Sequence, residues 1–412
     1  MKTAIFAVPG VPIDPTCGLD REPSRPPRLR EAGFDEKFDR KTLFYEAVGA
    51  PELDAVRIIA PPLFNLQPPL ASSRFMNAGD SRTLPFKVSN YDRQTQILVR
   101  GASAGSISLN GPVGNYNLPV AAPEHDLFAG LRTVFTLSRN NNLAWIRDWL
   151  EFYRNVHGAN AVLIYDNASS DYDAEALMST LSVVRGIEAA VVVRWPFKHG
   201  PTGMGLNRNW DSNFSQLAMM EHARWRFLAQ ARSVLNCDID ELVMSKSQRS
   251  VFQAVEEARS GVVAFHGDWV VGIQDITREG SPTAPMRFKD YQFVLKDLVT
   301  YRLAWRPVQR TRCKAKWAAV PERTPAGARW HIHYVEGWLA SRWKSEDFRF
   351  RHFREISRSW KYDRTQRDEI DPSRHAADPL MERSFYRLGW LERSSAEDAG
   401  AKLNGQLSSF SS

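Results

Sequence analysis

From residue 133 onward, short apolar runs alternate with longer stretches whose apolar residues recur every third or fourth position. Thr133 to Leu137 is the first run, and the polar cluster Ser138-Arg139-Asn140-Asn141-Asn142 follows it. Next, Leu143, Ile146, Trp149, Leu150, Tyr153 and Val156 fall on one side of a helical wheel, with Arg147, Asp148, Glu151 and Asn155 on the other. His157-Gly158 closes that helix, and Ala161 to Tyr165 forms a second strand ending in Asp166-Asn167. The layout then recurs. Ile187 to Val193 reads as a third strand, residues 212–230 as a helix with Phe214, Leu217, Met220, Ala223 and Phe227 on one half, and Val234-Leu235 as a strand running into Asp238-Ile239-Asp240 and Glu241-Leu242-Val243. Strands alternating with amphipathic helices predict an α/β fold, a Rossmann-like, mainly parallel sheet flanked by helices. Its polar tips, Asn140 to Asn142, Asp166-Asn167 and Asp238 to Glu241, should gather along one rim, where ligands bind in open α/β sheets.

Outside this stretch the pattern changes. Ala55 to Ile59, Thr83 to Val88, Thr95 to Val99 and Ile107 to Leu109 are strand-like runs between Pro, Gly, Ser and Asn turns, which predict a small β-rich domain. The predicted organisation is a Pro- and charge-rich segment over 1–45, a β-rich accessory domain over 46–125, an α/β domain over 130–365 and a helical, polar tail over 366–412. Within the first segment, residues 13–43 read as loop or partly disordered, and 111–130 reads as linker.

At 412 residues, with 43% hydrophobic and 25% charged positions, the chain can bury a sizeable core. The three cysteines, Cys17, Cys237 and Cys313, lack any Cys-x-x-Cys spacing, so neither a disulfide framework nor a zinc cluster is indicated. No run approaches the roughly 20 apolar residues of a membrane span, and the opening residues are broken by Pro9 and Pro12, so a cytoplasmic protein is expected. The net charge is +7, and Lys314, Lys316, Arg323, Arg329, Arg349, Arg351 and Arg354 are interleaved with Trp317, Trp330, Trp338, Trp343 and Phe350. That mixture suits a diphosphate and stacked sugars. No nucleic-acid motif accompanies it, so no nucleic-acid partner is expected; a mild positive field leaves room for peripheral membrane association at an anionic leaflet.

Asp238 and Asp240 are the sharpest chemical signal. Two carboxylates one residue apart at a strand end fall on the same side of the pleat, a site for a divalent cation carrying a phosphorylated ligand. An isolated Asp-x-Asp is more often a solvated loop than a site, and a turn with a helix cap explains Asp166, Asn167, Ser169, Ser170 and Asp171 equally well. What favours a site is that three polar tips share one rim.

Asn141 to Trp149, Tyr165 to Asp171 and Asp238-Ile239-Asp240-Glu241-Leu242 together resemble the glycosyltransferase family 92 and family 2-like group, which has the GT-A fold. Lys316-Trp317-Ala318-Ala319-Val320-Pro321-Glu322, Trp330-His331-Ile332-His333 and Arg351-His352-Phe353-Arg354 are similar to later segments of that group, in the same order. The resemblance implies transfer of a sugar from a nucleotide-sugar donor, usually a uridine diphosphate sugar, to a glycan or lipid-linked glycan acceptor. Without a membrane anchor, the implied setting is bacterial cell-surface polysaccharide synthesis. By the same resemblance Asn141, Asn142, Asp166, Asn167, Asp171, Asp238 and Lys316 would face the donor. Asp238 and Asp240 would hold Mn2+ or Mg2+, and His331 or His333 would supply a late metal or phosphate contact.

One departure concerns the first strand tip, where the group commonly has Asn-Glu and this chain has Asn141-Asn142, an amide without charge. That keeps open a non-catalytic carbohydrate- or nucleotide-sugar-binding protein with a degraded donor site. For a general base the candidates are Glu241, Asp268 and Asp275, with Asp268 favoured because Trp269 beside it offers a stacking face for a sugar. A haloacid-dehalogenase-like phosphatase also runs a strand into Asp-x-Asp, but places it early and follows it with Thr or Val. Here Glu241-Leu242 follows and two βα units precede.

Overall fold

The computed structural model describes residues 1–77, 82–102, 105–201, 211–273, 286–296, 299–302, 306–309, 312–356 and 369–391. Its larger sheet has 11 strands. It begins with β1 (Lys2–Ala7) and resumes with β2 (Arg132–Ser138), α1 (Leu143–Phe152), β3 (Ala161–Asp166), α2 (Ala174–Ser182), β4 (Ala189–Arg194), α3 (Phe214–His222) and β5 (Ser233–Asn236). These five strands are parallel in the order β1-β4-β3-β2-β5, so the α/β expectation holds for this half. The rest comprises β6 (Glu241–Ser245), α4 (Val251–Glu257), β7 (Val262–Val271), β8 (Phe293–Leu295), β9 (Arg312–Ala319), β10 (Phe348–Phe353), β11 (His375–Ala377) and α5 (Pro379–Arg387). Here β5-β9-β7-β8-β11 pair antiparallel, while β10 lies parallel to β7 and antiparallel to β6.

Side-chain alternation divides the core. Val134, Val162, Ile164, Ala190 and Val192 face the side that holds Ile146, Trp149, Leu150 and Leu177 of α1 and α2. Phe135, Leu163, Tyr165, Val191 and Val193 face Leu217, Met220 and Phe227. Asn142 caps α1, its Oδ1 accepting from Ala144 N at 2.8 Å, and Gly158 ends the following π-helical turn (Tyr153–His157) at φ 73°. Asp148 is not on a solvent face as the wheel suggested: it is buried and ion-paired with Arg287. Likewise α3 is buried nearly all round, because a second sheet covers the side its periodicity leaves polar.

That second sheet has 8 strands and draws all of them from residues 46–121. Gly114–Ala121 is one of them, pairing with Ser106–Gly111 and Glu46–Ala50, so the linker expected over 111–130 is shorter than the sequence suggested. Glu46 reaches across to the larger sheet's helix, 2.6 Å from His222 Nε2 and 2.5 Å from Arg226, and Gln96 Nε2 donates to Glu221 at 3.0 Å.

Residues 1–45 are not a separate appendage. β1 extends the larger sheet beside β4, and the irregular stretch after it is packed rather than loose. Arg21 is fully buried and donates to the carbonyls of Pro62, Asp39 and Thr42, while Arg25 pairs with buried Asp211 at 3.2 Å. Counting charge and proline missed this because each buried cation is satisfied inside the fold. Among the described residues no helix is long and apolar enough to cross a membrane. The Gly/Ser-rich tail and Asp275 lie outside the described residues.

Candidate functional site

β5 stops at Asn236, whose side-chain amide donates to Ile332 O at 2.8 Å, and residues 237–240 turn the chain into β6. Asp238 O accepts from Glu241 N at 3.1 Å within that turn. The two aspartates therefore do not share a pleat face, as a continuing strand would require. The turn sends them to different partners: Asp238 Oδ2 lies 2.7 Å from Lys316 Nζ of β9, and Asp240 Oδ2 lies 3.1 Å from His352 Nε2 of β10.

Glu241 joins the two halves. Its Oε2 accepts from Asp238 N at 2.9 Å and lies 3.1 Å from Lys316, while Oε1 is 3.7 Å from His352 Nδ1. Burial pushes its carboxyl up to about 7, with Asp238 adding to the rise and Lys316 and His352 opposing it. Burial would by itself lower the Lys316 ammonium, yet Asp238 and Glu241 hold it well above the usual lysine range, so it stays charged. The His352 ring stacks on Trp269 at 4.2 Å between centroids. The indole face that the sequence offered to a sugar is thus used to fix the histidine.

Asp240, Glu241 and His352 bring one ligand-type atom each within 4.8 Å of one another. The two carboxylates are donors of the kind Mn2+ and Mg2+ take, and the imidazole suits a transition metal such as Mn2+ better than Mg2+. The two nitrogens of His352 divide the trio. Nε2 lies 3.1 Å from Asp240 Oδ2, and Nδ1 lies 3.7 Å from Glu241 Oε1, an ion-pair rather than a hydrogen-bond distance, on the side where a carboxylate stands behind a histidine ligand.

The donor-side residues at the end of β3 lie two strands over from β5. Ser138 and Asp166 are register partners at the ends of β2 and β3, and β5 flanks β2 on its other side, so Asp166 lies roughly 10 Å from the Asp238–Asp240 turn. Asp166 lines a cleft of about 370 Å³ with Tyr172, Asp173, Arg194 and the end of β1. Its Oδ2 accepts from Ser169 N at 3.4 Å, its Oδ1 is buried without a hydrogen-bond partner among the described residues, and burial raises its carboxyl above the usual range. Asn167 is committed to scaffolding, donating to Trp195 O and Phe197 O at 2.7 Å each. Asn141 donates to Ser138 Oγ at 2.9 Å, Asn142 caps α1, and the Asp171 backbone N donates to Asn140 Oδ1 at 3.2 Å.

Asp268 sits on β7 between two guanidinium groups, 2.6 Å from Arg351 and 3.2 Å from Arg349. His333 is close to Lys316; its Nδ1 lies 3.1 Å from Ala315 O, and burial with the Lys316 and Lys314 charges pushes it down to about 3, so it is neutral. His331 turns toward the smaller sheet, stacked on Tyr334 at 4.3 Å and 3.6 Å from Asp92. The histidine that meets the acidic turn is His352, which sequence reasoning placed in a motif without giving it a role. Its signal was alternation: His352 shares a face of β10 with Phe348 and Phe350, and it opposes Glu241 in register.

No family model matches this chain, and no curated protein matches it. Among solved structures it is similar to the galactosyltransferase LgtC in complex with donor and acceptor sugar analogs, at 15% identity and a TM-score of 0.27, covering 66% of this chain and 99% of that one. An active-site mutant of LgtC is similar at 14% identity and a TM-score of 0.28, over 66% and 99% of the two chains.

Proposed function

We propose that this chain is a metal-dependent glycosyltransferase of the GT-A type, taking sugar from a nucleotide-sugar donor, with a uridine diphosphate sugar favoured, and delivering it to a glycan or lipid-linked glycan. The observation that carries the reading is the convergence of Asp240, Glu241 and His352 at the rim where the parallel strands end, two strands away from the buried Asp166 carboxylate. The family 92 and family 2-like resemblance belongs to the same proposal.

In this reading Asp240 and His352 Nε2 hold Mn2+ or Mg2+. The chemistry such a cation supplies when bound is neutralisation of the charge that develops on a departing diphosphate. Glu241 orients His352 through Nδ1 and, with Asp238, keeps Lys316 charged beside the leaving group. Asp166 Oδ1, a buried acceptor in want of a donor, takes a hydroxyl or N–H of the nucleoside. Asp268, with both oxygens facing guanidinium groups, positions Arg349 and Arg351 better than it accepts a proton, so base catalysis falls to a carboxylate nearer the turn.

The test is nucleoside diphosphate release from a panel of nucleotide sugars, with Mn2+ or with chelator, for wild type and Asp240→Asn in parallel. One donor turned over only with metal and only by wild type is the expected result. Turnover that persists in chelator would move charge neutralisation to Lys316. If no donor is turned over and none binds with metal, the chain is a binding protein with a degraded site.

A further inference from the structure

The far ends of β6 and β10 carry a second charged feature. Register pairs Glu241 with His352 at one end and Ser245 with Phe348 at the other, about 13 Å along the strands. At that second end a cavity of about 420 Å³ is lined by Lys246, His266, Arg312, Lys344 and Arg349, with Glu346 as its carboxylate. Beside it, Leu339 is 61% and Trp343 71% exposed, among the most exposed large apolar side chains described. Exposed Arg342 lies between them.

This segment is held in place rather than trailing. Trp338 Nε1 donates to Ser260 O at 3.0 Å, Ser341 Oγ donates to Val335 O at 2.8 Å, and Ser345 N donates to Ala264 O at 2.7 Å. An anchored turn that shows a tryptophan and a leucine to solvent, next to a basic cavity, combines the two elements of an interfacial membrane contact: an aromatic side chain for the headgroup region and cations for anionic lipid. Burial lowers both His266 and Lys344, and His266 is lowered further by Arg312, Lys344 and Arg349, as a concentrated positive field requires.

We propose that this face docks on an anionic lipid bilayer, with Trp343 and Leu339 entering the headgroup region and the cavity taking a lipid headgroup phosphate. Charge complementarity selects that occupant over a second copy of the chain, whose matching face would be equally basic. The inference rests on no part of the transferase reading, though it would bring a lipid-linked acceptor close to the rim.

Co-sedimentation of the full chain with vesicles tests it, using phosphatidylcholine alone and with one part in three of phosphatidylglycerol. Wild type should pellet only with the anionic vesicles and be released by salt. Lys246→Glu with Lys344→Glu should weaken binding by at least roughly fivefold for each cation removed, and Leu339→Ser with Trp343→Ser should weaken it as well, with melting temperatures unchanged. Wild type that ignores anionic vesicles, or variants that bind as wild type does, would overturn the proposal. So would a melting temperature that inorganic phosphate raises in wild type but not in the lysine variant while vesicles go unbound, because the cavity would then serve a soluble anion.

Discussion

His157 shows how one side chain can hold a strand. Val251 N donates to its Nδ1 at 3.1 Å, which makes Nδ1 the acceptor, so Nε2 carries the proton toward Val243 O of β6 at 2.7 Å. Burial pushes this histidine down to about 4, from an ordinary 6.5. Between those values the unfolded chain binds the proton and the folded chain does not. The contribution is therefore complete above pH 6.5 and lost as pH falls toward 4, on the order of 3 kcal/mol at most. Unfolding monitored across that window should show His157→Gln less stable than wild type at pH 7 and with a shallower acid slope. Equal slopes would mean that other groups carry the acid sensitivity.

The β6 strand is also tied to the π-helical turn after α1 through Tyr153, whose hydroxyl donates to Glu241 O at 2.9 Å and accepts from Val243 N at 3.2 Å. Tyr153→Phe leaves that buried N–H and carbonyl short of a partner, a cost of about 1–3 kcal/mol. Because Glu241 follows the Asp238–Asp240 turn directly, the variant should also bind Mn2+ more weakly, as read by calorimetry; unchanged affinity would show that the turn is set by its own hydrogen bonds. At this scale most of the parallel half was legible in the sequence, since β2, α1, β3, β4, α3 and β5 pack against near neighbours in the chain and their apolar patterns say so, whereas β1, whose partner lies far along the chain, was hidden in a Pro- and charge-rich segment. The antiparallel half was not, because β6, β7, β9 and β10 owe their places to partners far along the chain. Lys316 could be named from its segment and His352 could not be given a role, although both end up beside the same turn.

For the whole molecule, the junction between the sheets turns on Glu46, which faces His222 and Arg226 in a mostly buried setting. Removing one partner of such a cluster leaves the other charge unpaired. Glu46→Ala should cost about 3–5 kcal/mol and lower one cooperative melting transition, whereas two separate transitions would show that the sheets unfold independently. Strand-like runs between turns pointed to β structure where the 8-stranded sheet forms, but they could not show that this sheet is inserted between β1 and β2 of the other sheet.

That interruption sets an order of events at the ribosome. β1 emerges well before its pairing partner β4, which follows roughly 190 residues later, about 10 to 40 seconds at 5–20 residues per second. For that interval Lys2–Ala7 is an apolar strand with both edges open and no mate, a template for whatever nascent chain lies nearest. The smaller sheet, complete long before β4, can fold in the meantime, leaving the first strand waiting outside a finished unit for the sheet it belongs to.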